Sequence, residues 1–376
     1  MSHEVKCSVC GMNASRLLDF RCSYCGNPLE IRLKSNFDIT KIDNRDFNAW
    51  RYAYFFPYVN EADIITLGEG WTPLVKFTEN IFFKLENLNP TGSFKDRGST
   101  LLISALHRIV KKAGGHIAED SSGNAGASVA AYAARAGLKA RIYVPETVAG
   151  PKSQQIQFYG AEVVKVPGNR NAVAEAAQKP ERRKFYVGHI LHPLFRDGIR
   201  TLAYEIAEQL NWQSPDRVYV PVSAGTLLLG LVEGFLHLFQ SKMINSMPTM
   251  VACQTNQVSP LYHRIKQLPY APPTFINSVA DALLSVKPPL LELMVKKLQE
   301  ADGDTAIVEE DEIISAFEEL AKSGFFAEPS SAVAYAAYKK QLRDAKVSRN
   351  DKIIIVLTGS GLKTTLKPRT RPAEQR

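Results

Sequence analysis

The chain is expected to fold as an α/β protein built on parallel sheets. Two observations predict this class. From Trp71 onward, short apolar runs alternate with longer stretches whose apolar residues recur three and four apart. Strand-sized and helix-sized segments in regular alternation are the pattern of βαβ units. Several of the runs are also followed by small-residue turns rich in Gly, Ser and Thr that open the next helix, where open α/β sheets carry their chemistry.

The chain has 376 residues, 45% hydrophobic, 22% charged and 9% aromatic. These are ordinary globular values, with length enough for two or three structural units. They exclude wholesale disorder, collagen-like sequence and a fibrous coiled coil. No apolar run approaches the roughly 20 residues a membrane helix needs. Met1 to Lys6 shows no apolar signal core, so a soluble, cytoplasmic protein without a membrane partner is expected. The net charge is +8. Part of the excess lies in residues 363–376, read as a solvated basic tail, and a basic surface also suits anionic small substrates.

In chain order, residues 1–34 come first. Cys7, Cys10, Cys22 and Cys25 form two CxxC pairs, each followed by glycine. A CxxC turn aims two thiolates at one point, and the glycine lets backbone N–H groups face the sulfurs. Two such turns make a tetrahedral site for structural zinc, a zinc ribbon. Two disulfides are the alternative, but no export signal accompanies them. Cys253, in an apolar run, reads as a core residue. Residues 35–51 are polar and read as a connector with some helix. Strands are expected at 81–85, 140–144, 162–166, 217–222, 250–254 and 353–357. Helices are expected at 99–111, 124–134, 198–210, 227–240, 311–322 and 330–344.

The loops carry the candidate chemistry. Residues 87–98 place Lys95 directly after Gly92-Ser93-Phe94, at the start of a helix. The positive end of the helix dipole disfavours a cation there and lowers the amine's pKa, and a neutral amine is what Schiff-base chemistry needs. The run at 116–120 leads into Ser121-Ser122-Gly123-Asn124, opening a small-residue helix whose free N–H groups suit a carboxylate. Ser223-Ala224-Gly225-Thr226-Leu227 opens another helix and suits phosphate. Thr358-Gly359-Ser360-Gly361 follows the last run. It is not a nucleotide P-loop, because the four-residue gap before the lysine is missing.

Taken together and in this order, these segments resemble the fold-type II pyridoxal-phosphate enzymes, and within them the threonine synthase family. The resemblance covers nearly the whole chain. It rests on Cys25-Gly26-Asn27-Pro28-Leu29-Glu30, Leu67-Gly68-Glu69-Gly70-Trp71-Thr72-Pro73-Leu74, residues 89–98 around Lys95, Ser122-Gly123-Asn124, Pro151-Lys152, Gly160-Ala161, Glu328-Pro329-Ser330-Ser331-Ala332 and residues 358–363. The resemblance implies two open α/β subdomains with pyridoxal 5'-phosphate between them. The larger would comprise 35–97 and 202–362, and the smaller, mobile one 98–201. It implies that Lys95 forms the Schiff base with the cofactor and then moves protons on substrate carbons. Asn124 would bond the pyridine 3′-oxygen. Ser122 and Gly123 would hold the substrate carboxylate, and Ser223, Ala224, Gly225, Thr226 and Leu227 the cofactor phosphate. Thr358 would face the pyridine nitrogen, and Phe94 would pack beside the cofactor. The implied reaction makes threonine and phosphate from O-phosphohomoserine and water. Relatives of this kind are commonly homodimers.

The chain also departs from the family pattern. Where the family reads like Asn-Pro-x-Arg-x-x-Gly-Gln-Lys-Thr, residues 192–201 put Phe195 at the arginine position, with Arg196 and Arg200 nearby. These two are taken as the candidate contacts to a substrate phosphate. The phosphate loop at 223–227 lacks the family's asparagines, and Ser360 stands where a histidine is usual. An enzyme of β-elimination or β-replacement on serine, threonine or a phosphoserine-like substrate is therefore the alternative. A nucleic-acid-binding ribbon on an inactive scaffold is opposed by the intact Lys95 loop.

Overall fold

The computed structural model describes residues 3–147 and 150–364. Of the expected basic tail, residues 365–376 lie outside the described residues. Twelve strands occur among the described residues: β1 (His3–Cys7), β2 (Leu29–Leu33), β3 (Leu74–Lys76), β4 (Ile81–Lys84), β5 (His116–Glu119), β6 (Lys139–Pro145), β7 (Glu162–Val166), β8 (Lys184–Tyr186), β9 (Arg217–Pro221), β10 (Thr249–Thr255), β11 (Asp304–Val308) and β12 (Ile353–Val356). The α-helices are α1 (Lys95–Lys112), α2 (Asn124–Arg135), α3 (Pro151–Phe158), α4 (Arg170–Gln178), α5 (Pro193–Gln209), α6 (Thr226–Gln240), α7 (Pro260–Ile265), α8 (Leu291–Glu300), α9 (Glu310–Lys322) and α10 (Pro329–Arg343).

The strands form three sheets. A six-stranded sheet has the order β11-β10-β9-β12-β4-β3, and a four-stranded sheet the order β7-β6-β5-β8. All pairings are parallel except β3 with β4, where a short connection allows a hairpin. The third sheet is the antiparallel pair β1–β2 of the N-terminal segment. Central strand β12, Ile353-Ile354-Ile355-Val356, is buried at every position, as a strand covered by helices on both faces must be. The expected strands and helices are all present within a few residues. The structure adds strands β1, β2, β3, β8 and β11 and helices α3, α4, α7 and α8, mostly short elements with weak periodicity.

Helix α5 packs against both α1 and α6 and joins the two larger sheets into one core. Glycine makes its crossing with α1 possible. A Cβ on Gly198 would stand 2.2 Å from the Arg97 carbonyl oxygen, and one on Gly98 would stand 2.5 Å from the Phe195 ring. The backbones therefore meet where α1 begins, immediately beside Lys95. Beneath this crossing lies a fully buried charge cluster. The Arg97 guanidinium donates to Glu86 (2.7 and 2.7 Å) and Glu205 (2.8 and 2.9 Å), and Lys84 pairs with Glu205. The connector expected at 35–51 and the segment after it contain short 3₁₀ turns (Ile39–Lys41, Ala49–Phe55 and Glu61–Asp63). Phe37 and Phe55 of this stretch stack at 4.3 Å and help cover α5 and α6.

Candidate active site

A cleft of about 690 Å³ opens at the carboxyl ends of strands from both larger sheets. The loops after β5 and β8 supply one wall, and those after β9 and β12 the other. This is where an open parallel sheet places its ligands, because helix N-termini and irregular loops converge there.

Lys95 is the first residue of α1 and lines the cleft. Its Nζ lies 3.4 Å from Thr226 Oγ1 and 4.6 Å from the Phe94 ring centroid. Burial pushes its pKa down to about 8, with Glu119 and Glu328 pulling the other way. An amine with that pKa is substantially neutral just above physiological pH, which suits it to attack a carbonyl. Residues 223–227 run from β9 into α6 along the same cleft. No group among the described residues accepts a hydrogen bond from the N–H groups of Ser223, Ala224, Gly225 or Thr226. They form an anion cradle at a helix N-terminus. Gly225 has φ +95° and is packed against Met294, so no side chain fits there.

Ser122, Gly123 and Asn124 border the cleft at the start of α2. Asn124 Nδ2 donates to both carboxylate oxygens of Glu328 (3.0 and 3.2 Å), while Oδ1 is buried with no partner among the described residues. The proton positions around Thr358 follow from counting. Ser331 Oγ accepts the N–H groups of Thr358 and Gly359, both at 2.9 Å, and lies 2.9 Å from Thr358 Oγ1. With its lone pairs taken, the Ser331 hydroxyl can only donate, to Thr358 Oγ1 or to the Gly359 carbonyl at 3.4 Å, and either choice leaves the Thr358 O–H free to donate into the cleft.

The structure places Arg196 and Arg200 elsewhere, and this corrects the expectation that they line the substrate site. Both are buried on α5, facing the N-terminal segment. Arg196 donates to the carbonyls of Ile190 (2.8 Å), Leu191 (3.1 Å) and Leu29, and Arg200 to that of Ile31 (3.2 Å) and to Asp197. They fasten β2 to the core. Besides Lys95, the cationic side chains that border the cleft are Lys152, Arg170 and Lys363. Burial lowers the Lys363 pKa to about 8. Lys152 lies 3.3 Å from Glu328, and Arg170 is held by the carbonyl and carboxylate of Asp120.

Sequence reasoning also missed His189 and Glu119. Glu119 ends β5, and His189 follows β8 by three residues. Position at a strand's carboxyl end is the signal that marks both, but β8 has only three residues and no clear alternation. Phe195 is fully buried, 5.7 Å from both the His189 ring and Lys95 Nζ.

The N-terminal thiols converge as their spacing requires. The sulfurs of Cys7, Cys10, Cys22 and Cys25 all lie within 4.8 Å of one another, and none is in a disulfide. Close pairs lie at 3.4 to 3.6 Å, near the S–S separation of a tetrahedral thiolate zinc site with Zn–S of about 2.3 Å. The N–H groups of Val9 and Cys10 point at Cys7 Sγ (3.5 Å each). The donor set fits structural zinc.

The model of the family described as "Pyridoxal-phosphate dependent enzyme" matches residues 65–359, which contain every cleft loop described above except Lys363. The chain belongs to this family. Its curated relatives include the threonine synthase of Methanocaldococcus jannaschii, 33% identical, with 90% of this chain and 87% of that protein covered. The threonine synthase of Methanosarcina acetivorans is 29% identical, with 96% and 92% covered. Among solved structures, the processed form of threonine deaminase isoform 2 from Solanum lycopersicum superposes with TM-score 0.67 at 21% identity, with 87% of this chain and 86% of that chain covered. That likeness shows the fold, the fold-type II arrangement. The cofactor of this pyridoxal-phosphate enzyme fits the cleft on two counts: a lysine of lowered pKa and an unfilled N–H cradle. No described helix is long and apolar enough to cross a membrane.

Proposed function

We propose that this protein is a threonine synthase, converting O-phospho-L-homoserine and water to L-threonine and phosphate. The observation that carries the reading is 33% identity to a threonine synthase across 90% of the chain.

Bound pyridoxal phosphate supplies an electron sink that stabilises negative charge on substrate carbons. The protein's residues do the rest. Lys95 would carry the cofactor, and its Nζ would hold and move protons on substrate carbons. Residues 223–227 would hold the cofactor phosphate on their N–H groups, and Asn124 Nδ2 would donate to the ring oxygen. Thr358 would face the ring nitrogen with a hydroxyl rather than a carboxylate, which would moderate the electron sink. Ser122 and Gly123 hold the substrate carboxylate. Lys152, Arg170 and Lys363 supply positive charge for the leaving phosphate, the role expected of Arg196 and Arg200 from sequence. Residues 98–201 form the smaller unit and close on 35–97 and 202–362, excluding water. The reaction runs in the cytoplasm.

One observation favours a second reading. Phe195, at the family's usual arginine position, is fully buried with its ring 5.7 Å from Lys95 Nζ, so this position supplies no cation for a substrate phosphate. A β-elimination or β-replacement enzyme for an unphosphorylated serine-like substrate would suit that loss. Incubating the cofactor-loaded enzyme with O-phospho-L-homoserine, while reading phosphate and threonine together, separates the two. Equal yields support threonine synthase. No product from O-phospho-L-homoserine, with 2-oxo acid formed from serine, supports the second reading.

A further inference from the structure

Beside Lys95 sits an imidazole with a buried carboxylate behind it. His189 Nδ1 lies 2.6 Å from Glu119 Oε1, and the His189 backbone N–H donates to Glu119 Oε2 at 2.9 Å. The two contacts lock the ring against a carboxylate that is fully buried. A carboxylate there accepts, so Nδ1 carries the hydrogen and Nε2 keeps its lone pair. Nε2 has no partner among the described residues, and His189 borders the cleft. A base that borders the same cleft as Lys95 and is oriented by a carboxylate is the arrangement that general-base catalysis uses.

We propose that His189 is the base that takes a proton from the attacking water, with Glu119 positioning it; the proposal rests on the threonine synthase reading, in which water is the nucleophile. One water O–H bond breaks and one Nε2–H bond forms. The electron pair stays on the hydroxide oxygen, which bonds to the β-carbon as the π pair of the substrate's α,β-double bond moves to the α-carbon, and that carbon takes a proton from Lys95 Nζ. The imidazolium so formed is stabilised by Glu119, and its proton leaves to solvent or departing phosphate.

The surroundings support this order of events. Burial holds the His189 imidazole well below its ordinary value, as does Lys95, so it rests neutral. Burial pushes Glu119 up to about 7, while the His189 backbone N–H, Arg170 and Lys95 hold it down. The other titratable groups near the pair are Asp120, which raises the His189 pKa, and Tyr186, whose hydroxyl donates to Asp120 Oδ1 at 2.8 Å; Arg170 adds to the lowering at His189. Above pH 7 Glu119 is ionised and the pair is ready to accept a proton.

The test uses cofactor-loaded wild type, His189→Gln and Glu119→Gln with O-phospho-L-homoserine. Cofactor absorbance serves as the check on folding. Expected for His189→Gln is a fall of about 100-fold in threonine formation, with phosphate release less affected. The ratio of threonine to phosphate then drops at least tenfold. The balance appears as 2-oxobutanoate and ammonia, formed with the same single water consumed. Expected for Glu119→Gln is a lower kcat at similar KM and loss of the kcat limb that rises through about pH 7. In ¹⁵N-histidine-labelled holoenzyme, the His189 resonances should show hydrogen on Nδ1 and none on Nε2. A His189→Gln enzyme with equal threonine and phosphate, or hydrogen on Nε2, overturns the proposal. Failure of wild type itself to release phosphate overturns the threonine synthase reading, and the role of His189 with it.

Discussion

Removal of the Arg97 guanidinium, by Arg97→Met, is the perturbation whose size the structure sets most tightly. Arg97 makes four bonds to Glu86 and Glu205 at 2.7 to 2.9 Å and a fifth to Thr201 at 3.2 Å, and Arg97, Lys84, Glu86 and Glu205 are all fully buried. Two cations balance two carboxylates. Methionine fills much of the volume but leaves Lys84 alone against both glutamates. Breaking a buried pair by removing one partner costs about 3–5 kcal/mol, a large share of the roughly 5–15 kcal/mol a domain has. The cost falls where α1 begins, two residues from Lys95, so cofactor affinity should fall as well. The loss should depend on pH. Burial pushes Glu205 upward, yet Arg97 and Lys84 overcome this and hold it at about 2. A depressed carboxylate contributes stability above its unfolded value of about 4.3 and loses it as pH falls through about 2. Without Arg97 the Glu205 pKa rises, protonation relieves the unbalanced charge, and the deficit narrows toward acid. Urea unfolding of wild type and variant at pH 7.5 and pH 5 reads both effects. A loss under about 1 kcal/mol at pH 7.5, or a deficit that widens at pH 5, would refute the reasoning.

Capture of pyridoxal phosphate by apoenzyme, followed by stopped-flow absorbance, should quicken as pH rises through about 8, where Lys95 loses its proton; Lys95→Ala should show no lysine-linked band at any pH. Arg170→Met and Lys363→Met should each raise KM for O-phospho-L-homoserine about tenfold while leaving KM for an uncharged substrate analogue unchanged, as steady-state kinetics will report. Elemental analysis should find one zinc per chain. Stripping it should expose residues 1–34 to limited proteolysis while the cofactor absorbance persists, because Arg196 and Arg200 hold β2 and not the cleft.

What sequence alone determined is the chemistry that local spacing encodes. Two CxxC turns place four sulfurs together through their own geometry, and Lys95 sits at a helix start because the turn before it ends there. The loops at 121–128, 223–227 and 358–361 were legible for the same reason, since a small-residue turn after an apolar run marks a strand's carboxyl end. What the tertiary structure decided is which way side chains on α5 face and which distant groups meet. Arg196 and Arg200 carry the right charge for a phosphate, but the close crossing of α5 with α1 at Gly198 turns Phe195 toward Lys95 and the arginines toward β2. Glu119 and His189 are 70 residues apart and meet only because β5 and β8 are neighbours in one sheet. Lys152, Arg170 and Lys363 come from three separate elements. A cation's role depends on the field and cavity around it, and that surrounding exists only after the sheets have packed.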